Sequence, residues 1–165
     1  MLNNIDFTVL GIDLAGKPEN PTGICFLYKN KLEFSTVFTD EEILSQVFKK
    51  DPFLIVIDAP LSLPKGRCCL SNKCTCSENG GHFRLAEIEM RKYGRTLPLT
   101  FKGMRMLTER GIFLKDELEK IYKILESHPW TIQKVMGVEN LKSVKNFMIC
   151  PQISVNMNGM LHYLF

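Results

Sequence analysis

Two short hydrophobic runs each end on an aspartate followed by a turn: Thr8-Val9-Leu10-Gly11-Ile12-Asp13-Leu14-Ala15-Gly16 and Phe53-Leu54-Ile55-Val56-Ile57-Asp58-Ala59-Pro60. Runs of this length, rich in Val and Ile and closed by Gly or Pro, read as buried strands. A carboxylate at the end of such a strand costs stability unless a positive charge or hydrogen bonds offset it. Two of them with similar flanks point to a shared counter-charge, most simply a divalent metal bound by Asp13 and Asp58. The competing reading is that each Asp caps the element that follows or starts a turn.

A third run, Lys123-Ile124-Leu125-Glu126-Ser127-His128-Pro129, has the same form, with a carboxylate near its end and a turn-forming proline behind it. Strand side chains alternate, so Glu126 and His128 share a face and an imidazole stands beside a third carboxylate.

A different chemistry lies in the segment 67–82, where Cys68, Cys69, Cys74, Cys76 and His82 fall within fifteen residues. Four thiols and an imidazole suffice for tetrahedral zinc, and the polar, Gly-rich spacing leaves the loop free to wrap an ion. The spacing is not a pair of C-x-x-C knuckles, so an iron–sulfur cluster, a redox pair and unliganded thiols stay open beside Zn²⁺. Cys25, in a strand, and Cys150, near the end of the chain, read as core or incidental.

Between Lys65 and Arg110 ten Lys or Arg stand against Glu78, Glu87, Glu89 and Glu109, while the rest of the chain is slightly acidic. Arg84, Arg91, Arg95 and Arg105 lie in this segment. It follows the Asp58 strand, where it can cover the metal site, so nucleic-acid phosphates are the partner it suits. A solvated, salt-bridged face accounts for the same pattern, because Glu87 and Glu89 interrupt the charge. Lys17, in the loop after Asp13, either reaches a phosphate or stays a solvated turn lysine. The stretch from Gly11 to Lys17 follows a phosphate-binding P-loop until Pro18, which replaces the Ser or Thr that would ligate Mg²⁺, so an NTP-binding P-loop is rejected.

The elements that must position these residues follow from patterning. The Asp13 strand, Ile24–Tyr28 and Leu32–Phe38 are joined by short polar turns and read as an antiparallel meander. Thr39-Asp40-Glu41-Glu42 opens an amphipathic helix with Thr39 as N-cap and Glu42 at the capping-box position. That helix leads to the Asp58 strand, which predicts a right-handed parallel crossover. Helical spacing runs from Phe83 to Tyr93, then from Met104 to Arg110 with Gly111 as its stop, then from Leu114 to Tyr122. A last buried strand covers 123–129.

Three antiparallel strands, a helix and then acid-bearing parallel strands are the order of a ribonuclease-H-like sheet. The chain resembles the domain-of-unknown-function 429 family, predicted nucleases of that fold. The resemblance rests on Gly11-Ile12-Asp13-Leu14-Ala15-Gly16, on Ile57-Asp58-Ala59-Pro60-Leu61-Ser62-Leu63-Pro64 and on the basic helix from Arg84 to Arg95. It extends to the blocks 104–111 and 125–129, and spans most of residues 8 to 140. It implies phosphodiester hydrolysis with Mg²⁺ or Mn²⁺, Asp13 bridging two ions, Asp58 and Glu126 each adding ligands, and His128 either assisting proton transfer or product release or simply bonding a neighbouring carboxylate. Family members usually end in a helix with a further acid, whereas here the last acid is Glu139 and residues 140–165 contain neither Asp nor Glu. A missing C-terminal helix and impaired turnover are therefore expected, and a non-catalytic nucleic-acid or metal-binding domain of the same fold is the alternative. An actin-like phosphotransferase shares the Gly-Ile-Asp opening but needs two such domains.

At 165 residues with a net charge of +3, the chain reads as one α/β domain over 1–165, with a Cys-rich insertion at 67–82 and an irregular tail from about 141 to 165. No signal-peptide pattern and no apolar run of about 20 residues is visible, so a cytoplasmic protein without a membrane partner is expected. Nothing in the sequence bears on oligomeric state, on substrate strandedness or on base preference.

Overall fold

The computed structural model describes residues 7–29 and 31–137. By their contacts the residues fall into two compact units, Ile5–His128 and a second made of Met1–Asn4 with Pro129–Phe165. In the second, the described part is the short helix Pro129–Val135 and the two residues after it, where the Lys134 ammonium lies 5.7 Å from the centre of the Trp130 ring. The expected irregular tail at 141–165, Cys150 and Glu139 lie outside the described residues.

The unit Ile5–His128 is built on one open mixed sheet. Its strands are β1 (Val9–Asp13), β2 (Thr22–Tyr28), β3 (Lys31–Val37), β4 (Leu54–Ile57) and β5 (Lys123–Glu126), in spatial order β3-β2-β1-β4-β5. β1, β2 and β3 form the expected antiparallel meander, and β4 and β5 add in parallel beyond β1. The helix between β3 and β4, α1 (Asp40–Lys50), makes the crossover that two parallel strands require. It starts as the sequence predicts: Thr39 Oγ1 accepts from the Glu42 N–H at 3.2 Å, and Glu42 Oε2 accepts from the Thr39 N–H at 3.3 Å. Its Ile43 and Val47 join Leu10, Ile12, Ile55 and Ile57 of the inner strands in one buried core.

The segment after β4 holds α2 (Cys76–Asn79), α3 (Leu85–Met90) and α4 (Lys102–Leu118). α3 is shorter than the expected 83–93 because residues past Met90 turn on themselves, with the Tyr93 N–H donating to the Met90 carbonyl at 2.9 Å. α4 corrects a larger expectation. Gly111 does not stop a helix; it sits inside one continuous helix of 17 residues. A side chain there would begin 3.0 Å from both Ala59 Cβ and the Pro60 carbonyl oxygen, so the glycine is a packing notch that lets α4 lie against the end of the Asp58 strand. Leu114 and Leu118, one and two turns on, complete the core. β5 ends at Glu126, three residues earlier than expected, although the Ser127 N–H still donates to the Ile57 carbonyl at 2.8 Å.

Candidate metal centres

β1 and β4 run in parallel register, Ile12 opposite Ile57, and the Asp58 N–H donates to the Ile12 carbonyl at 2.8 Å. Asp13 and Asp58 therefore occupy matching positions at the ends of adjacent strands, about 4.8 Å apart across the sheet. Both line a cavity of about 300 Å³ at this end of the sheet, together with Glu126 and His128. The Asp58 carboxyl is pushed up to about 6, first by burial and then by the negative charge of Asp13.

The loop that follows Asp13 is held by a residue that the sequence shows only as part of a basic segment. The buried Arg110 of α4 donates to the Ala15 carbonyl at 2.7 Å, to the Phe38 carbonyl at 2.6 Å and to Asp40 Oδ1 at 2.6 Å. It ties the β1 exit, the β3 exit and the start of α1 to one planar guanidinium. The Ala15 N–H donates in turn to Thr22 Oγ1 at 3.1 Å, and Thr22 is fully buried.

Glu126, expected as a third metal ligand, is set differently from the two aspartates. In the ladder it pairs with Ile57, one residue before Asp58, so it belongs to the pleat of Ile57 and not to that of Asp58. Its carboxylate is gripped by Arg84, which donates through Nη2 to Oε1 at 2.5 Å and through Nη1 to Oε2 at 2.7 Å. The Leu61 N–H adds a third bond to Oε2 at 2.8 Å. Arg84 also pairs with Glu87, which is almost wholly buried. Burial opposes the Arg84 charge, but hydrogen bonds to Glu126 and Glu87 outweigh it and raise the guanidinium above its ordinary range. Among the described residues, Asp13, Asp58 and Glu126 do not bring three donor atoms within metal-binding distance of one another.

Arg84, expected as a phosphate contact, has its guanidinium engaged by two carboxylates and by Ser62 Oγ at 3.0 Å. The other basic candidates are placed differently. Arg95 is exposed and lines the cavity, and Lys17 is exposed in the turn after β1. Arg91 stacks over Phe83 at 4.1 Å and Arg105 lies 4.0 Å from Glu109. Glu87, Met90 and Thr96 also line the cavity and were not among the expected site residues; the three-residue step from Arg84 to Glu87 is the signal that could have found Glu87.

The thiols assemble where sequence proximity suggests. Cys68 and Cys74 Sγ are 3.7 Å apart, Cys69 and Cys76 Sγ 3.8 Å, and the four sulfurs lie within 4.8 Å of one another, close enough to hold a metal ion. All four are reduced, as is Cys25, whose thiol burial pushes up. Hydrogen bonding to Cys76 and Cys74 pushes the Cys68 thiol up to about 12, while hydrogen bonding with the backbone of Cys68, and to a lesser degree of Cys69, brings Cys76 down to about 6 against the opposing effect of burial. His82 is not part of this group; its Nδ1 lies 2.8 Å from Thr100 Oγ1. Its backbone carbonyl accepts from the Leu99 N–H at 2.9 Å, which fixes the residue to the start of the next segment.

No helix among the described residues is long and apolar enough to cross a membrane. No protein-family model, no curated protein and no solved structure matches the chain. The molecule thus carries a hard pair of carboxylates at the sheet end and a soft group of four thiols in the loop that follows.

Proposed function

We propose that the chain is a ribonuclease-H-like domain that hydrolyses nucleic-acid phosphodiester bonds with Mg²⁺ or Mn²⁺ at Asp13 and Asp58. The strand order β3-β2-β1-β4-β5, antiparallel then parallel, supports the fold reading. One observation carries the site. Two aspartates stand side by side over a cavity, with Asp58 destabilised as an anion by burial and by its neighbour, so a cation between them removes a cost that the chain leaves uncompensated. A bound divalent ion would supply Lewis-acid stabilisation of charge on the phosphoryl oxygens and a more acidic water. Around it, the chain's own residues have simpler tasks. In this reading Asp13 and Asp58 hold the cation, Arg95 at the cavity rim meets a phosphate, and His128, which lines the same cavity, exchanges a proton with the leaving oxygen.

Manganese-dependent cleavage of single- and double-stranded RNA and DNA, compared between the wild type and Asp58→Asn, tests the reading. Cleavage that disappears in the variant supports it. Absence of cleavage for every substrate, with metal binding by titration equal in wild type and Asp13→Asn, overturns it. A second reading, a non-catalytic metal- or nucleic-acid-binding domain, is favoured by the Arg84–Glu126 pair, which leaves two carboxylates for the ion where three were expected. Binding lost in Asp13→Asn without cleavage in the wild type would select it.

A further inference from the structure

The segment between Gly66 and His82 has little with which to fold itself. Leu70 is its one fully buried large apolar side chain, and its only regular element is the four-residue α2. Its two ends are pinned together by Arg67, whose Nε donates to the Gly81 carbonyl at 2.7 Å and whose Nη1 donates to the Ser71 carbonyl at 3.3 Å. Gly80 packs so closely on this side chain that an added Cβ would overlap Arg67 Cγ at 2.2 Å. Across the middle of the loop the Ser77 hydroxyl donates to the Asn72 carbonyl at 3.3 Å and the Lys73 N–H to Ser71 Oγ at 3.2 Å, and the four sulfurs gather beside them. A small polar segment of this kind needs a cross-link to hold one conformation.

The sulfur geometry selects the cross-link. A tetrahedral ion with metal–sulfur bonds of about 2.3 Å has sulfur–sulfur edges of about 3.8 Å. The two cross-loop pairs stand at 3.7 and 3.8 Å, and every pair lies within 4.8 Å. A disulfide needs about 2.0 Å between sulfurs, so neither pair is bonded. A multi-iron cluster spreads its thiolates over different irons on the outside of the cluster, which four sulfurs gathered round one point do not fit. A single ion remains, and for one site of fixed ligands zinc is bound more tightly than ferrous iron.

We propose that Cys68, Cys69, Cys74 and Cys76 hold one zinc ion as a closed structural site that folds the loop delivering Arg84 to the cavity. The ion has no open position for substrate, so it takes no part in hydrolysis, and the site stands whether or not the acid pair is catalytic. Its influence runs along the chain. The loop ends at Gly81, the Leu99 N–H holds the His82 carbonyl, and Arg84 follows two residues later with Glu126 in its grip. Zinc thereby sets the position of the residue that keeps Glu126 from the acid pair.

The test uses the full chain, purified under reducing conditions without added metal. Elemental analysis is expected to return about one zinc per chain, falling at least fivefold in Cys74→Ser and unchanged in Cys25→Ser. Because Cys74→Ser can fail to fold, cobalt is also exchanged into the wild type, where intense tetrahedral and thiolate-to-metal charge-transfer bands are expected. Less than about a tenth of an equivalent of any metal, stoichiometric iron, or disulfides found by mass spectrometry would each overturn the site. Hydrogen exchange before and after zinc removal then reads its role. Protection lost across 66–87 with β1 and β4 unchanged supports the structural role; bound zinc whose removal leaves 66–87 unchanged overturns it.

Discussion

The acid end of the sheet and the thiol loop both gather side chains of kinds that can ligate metals, carboxylates in one and thiols in the other, and they do so by opposite means. In the loop the ligands are near neighbours in sequence, and the chain needs only to curl for four sulfurs to come within 4.8 Å. At the sheet end, Asp13, Asp58 and Glu126 are brought together across 113 residues by strand pairing, and the register decides which of them meet. Asp13 and Asp58 stand level; Glu126 is one residue out of step and has been taken by Arg84. Local ligands make a site that is complete or absent, whereas ligands from distant strands make a site that one ion pair can leave partial.

This contrast can be broken most forcefully at Arg84. Arg84→Met leaves Glu87 and Glu126 as uncompensated acids, one of them buried, and a loss of about 3 kcal/mol in urea unfolding is expected. A loss below about 1 kcal/mol would mean that the pair does not hold the cavity wall. Restoring neutrality with Arg84→Met/Glu87→Gln should recover part of the loss, as a double-mutant cycle can show.

The next effect tests how closely α4 presses on the Asp58 strand. Gly111→Val puts a branched side chain where even a Cβ lies 3.0 Å from Ala59 Cβ and from the Pro60 carbonyl oxygen. Overpacking should cost about 2 kcal/mol by thermal unfolding, against a helix-propensity gain of a few tenths. Unchanged stability would show that the strand end can yield, and with it the spacing of the acid pair.

A smaller effect has the opposite sign. The folded Asp58 carboxyl titrates at about 6, above its ordinary value near 3.9, so between those values the folded state keeps a proton that the unfolded chain has lost. Its contribution to stability is full below about pH 4 and is lost as pH rises through 6. Asp58→Asn should therefore stabilise the metal-free protein at pH 8 by about 1 kcal/mol, after discounting for solvent screening, and have no such effect at pH 4. The same substitution should abolish any rise in unfolding temperature on adding Mn²⁺. Destabilisation at pH 8 would remove the argument for a repelling pair.

The smallest effect concerns the basic rim. Arg95→Ala, at the exposed cavity edge, should leave stability within about 0.5 kcal/mol of wild type, yet lower the salt dependence of nucleic-acid binding by about one charge. A salt slope identical to that of the wild type would remove Arg95 from the interface.

Much of the fold was legible because its signals are local. The capping box at Thr39 and Glu42, the strand-ending aspartates and the polar turns of the meander each state their structure within a few residues. Gly111 was misread for the same reason. A glycine after a helical stretch signals a stop, and only the neighbouring Ala59 and Pro60 reveal that it makes room instead. His82 looked like a fifth ligand by proximity, but Thr100, eighteen residues away, holds its ring nitrogen.

By itself, then, the sequence determined the five strands and α1, which strands end in acids and which thiols are close enough to share an ion, since all three depend on short-range periodicity and spacing; it showed neither α2 nor the helix Pro129–Val135 nor the unbroken α4. The tertiary structure alone decided that Arg110 anchors the loop behind Asp13 and that Arg84 closes on Glu126 instead of facing solvent. A buried guanidinium must find carboxylates or carbonyls, and which ones lie within reach is settled by strand register and helix packing, which no stretch of sequence states.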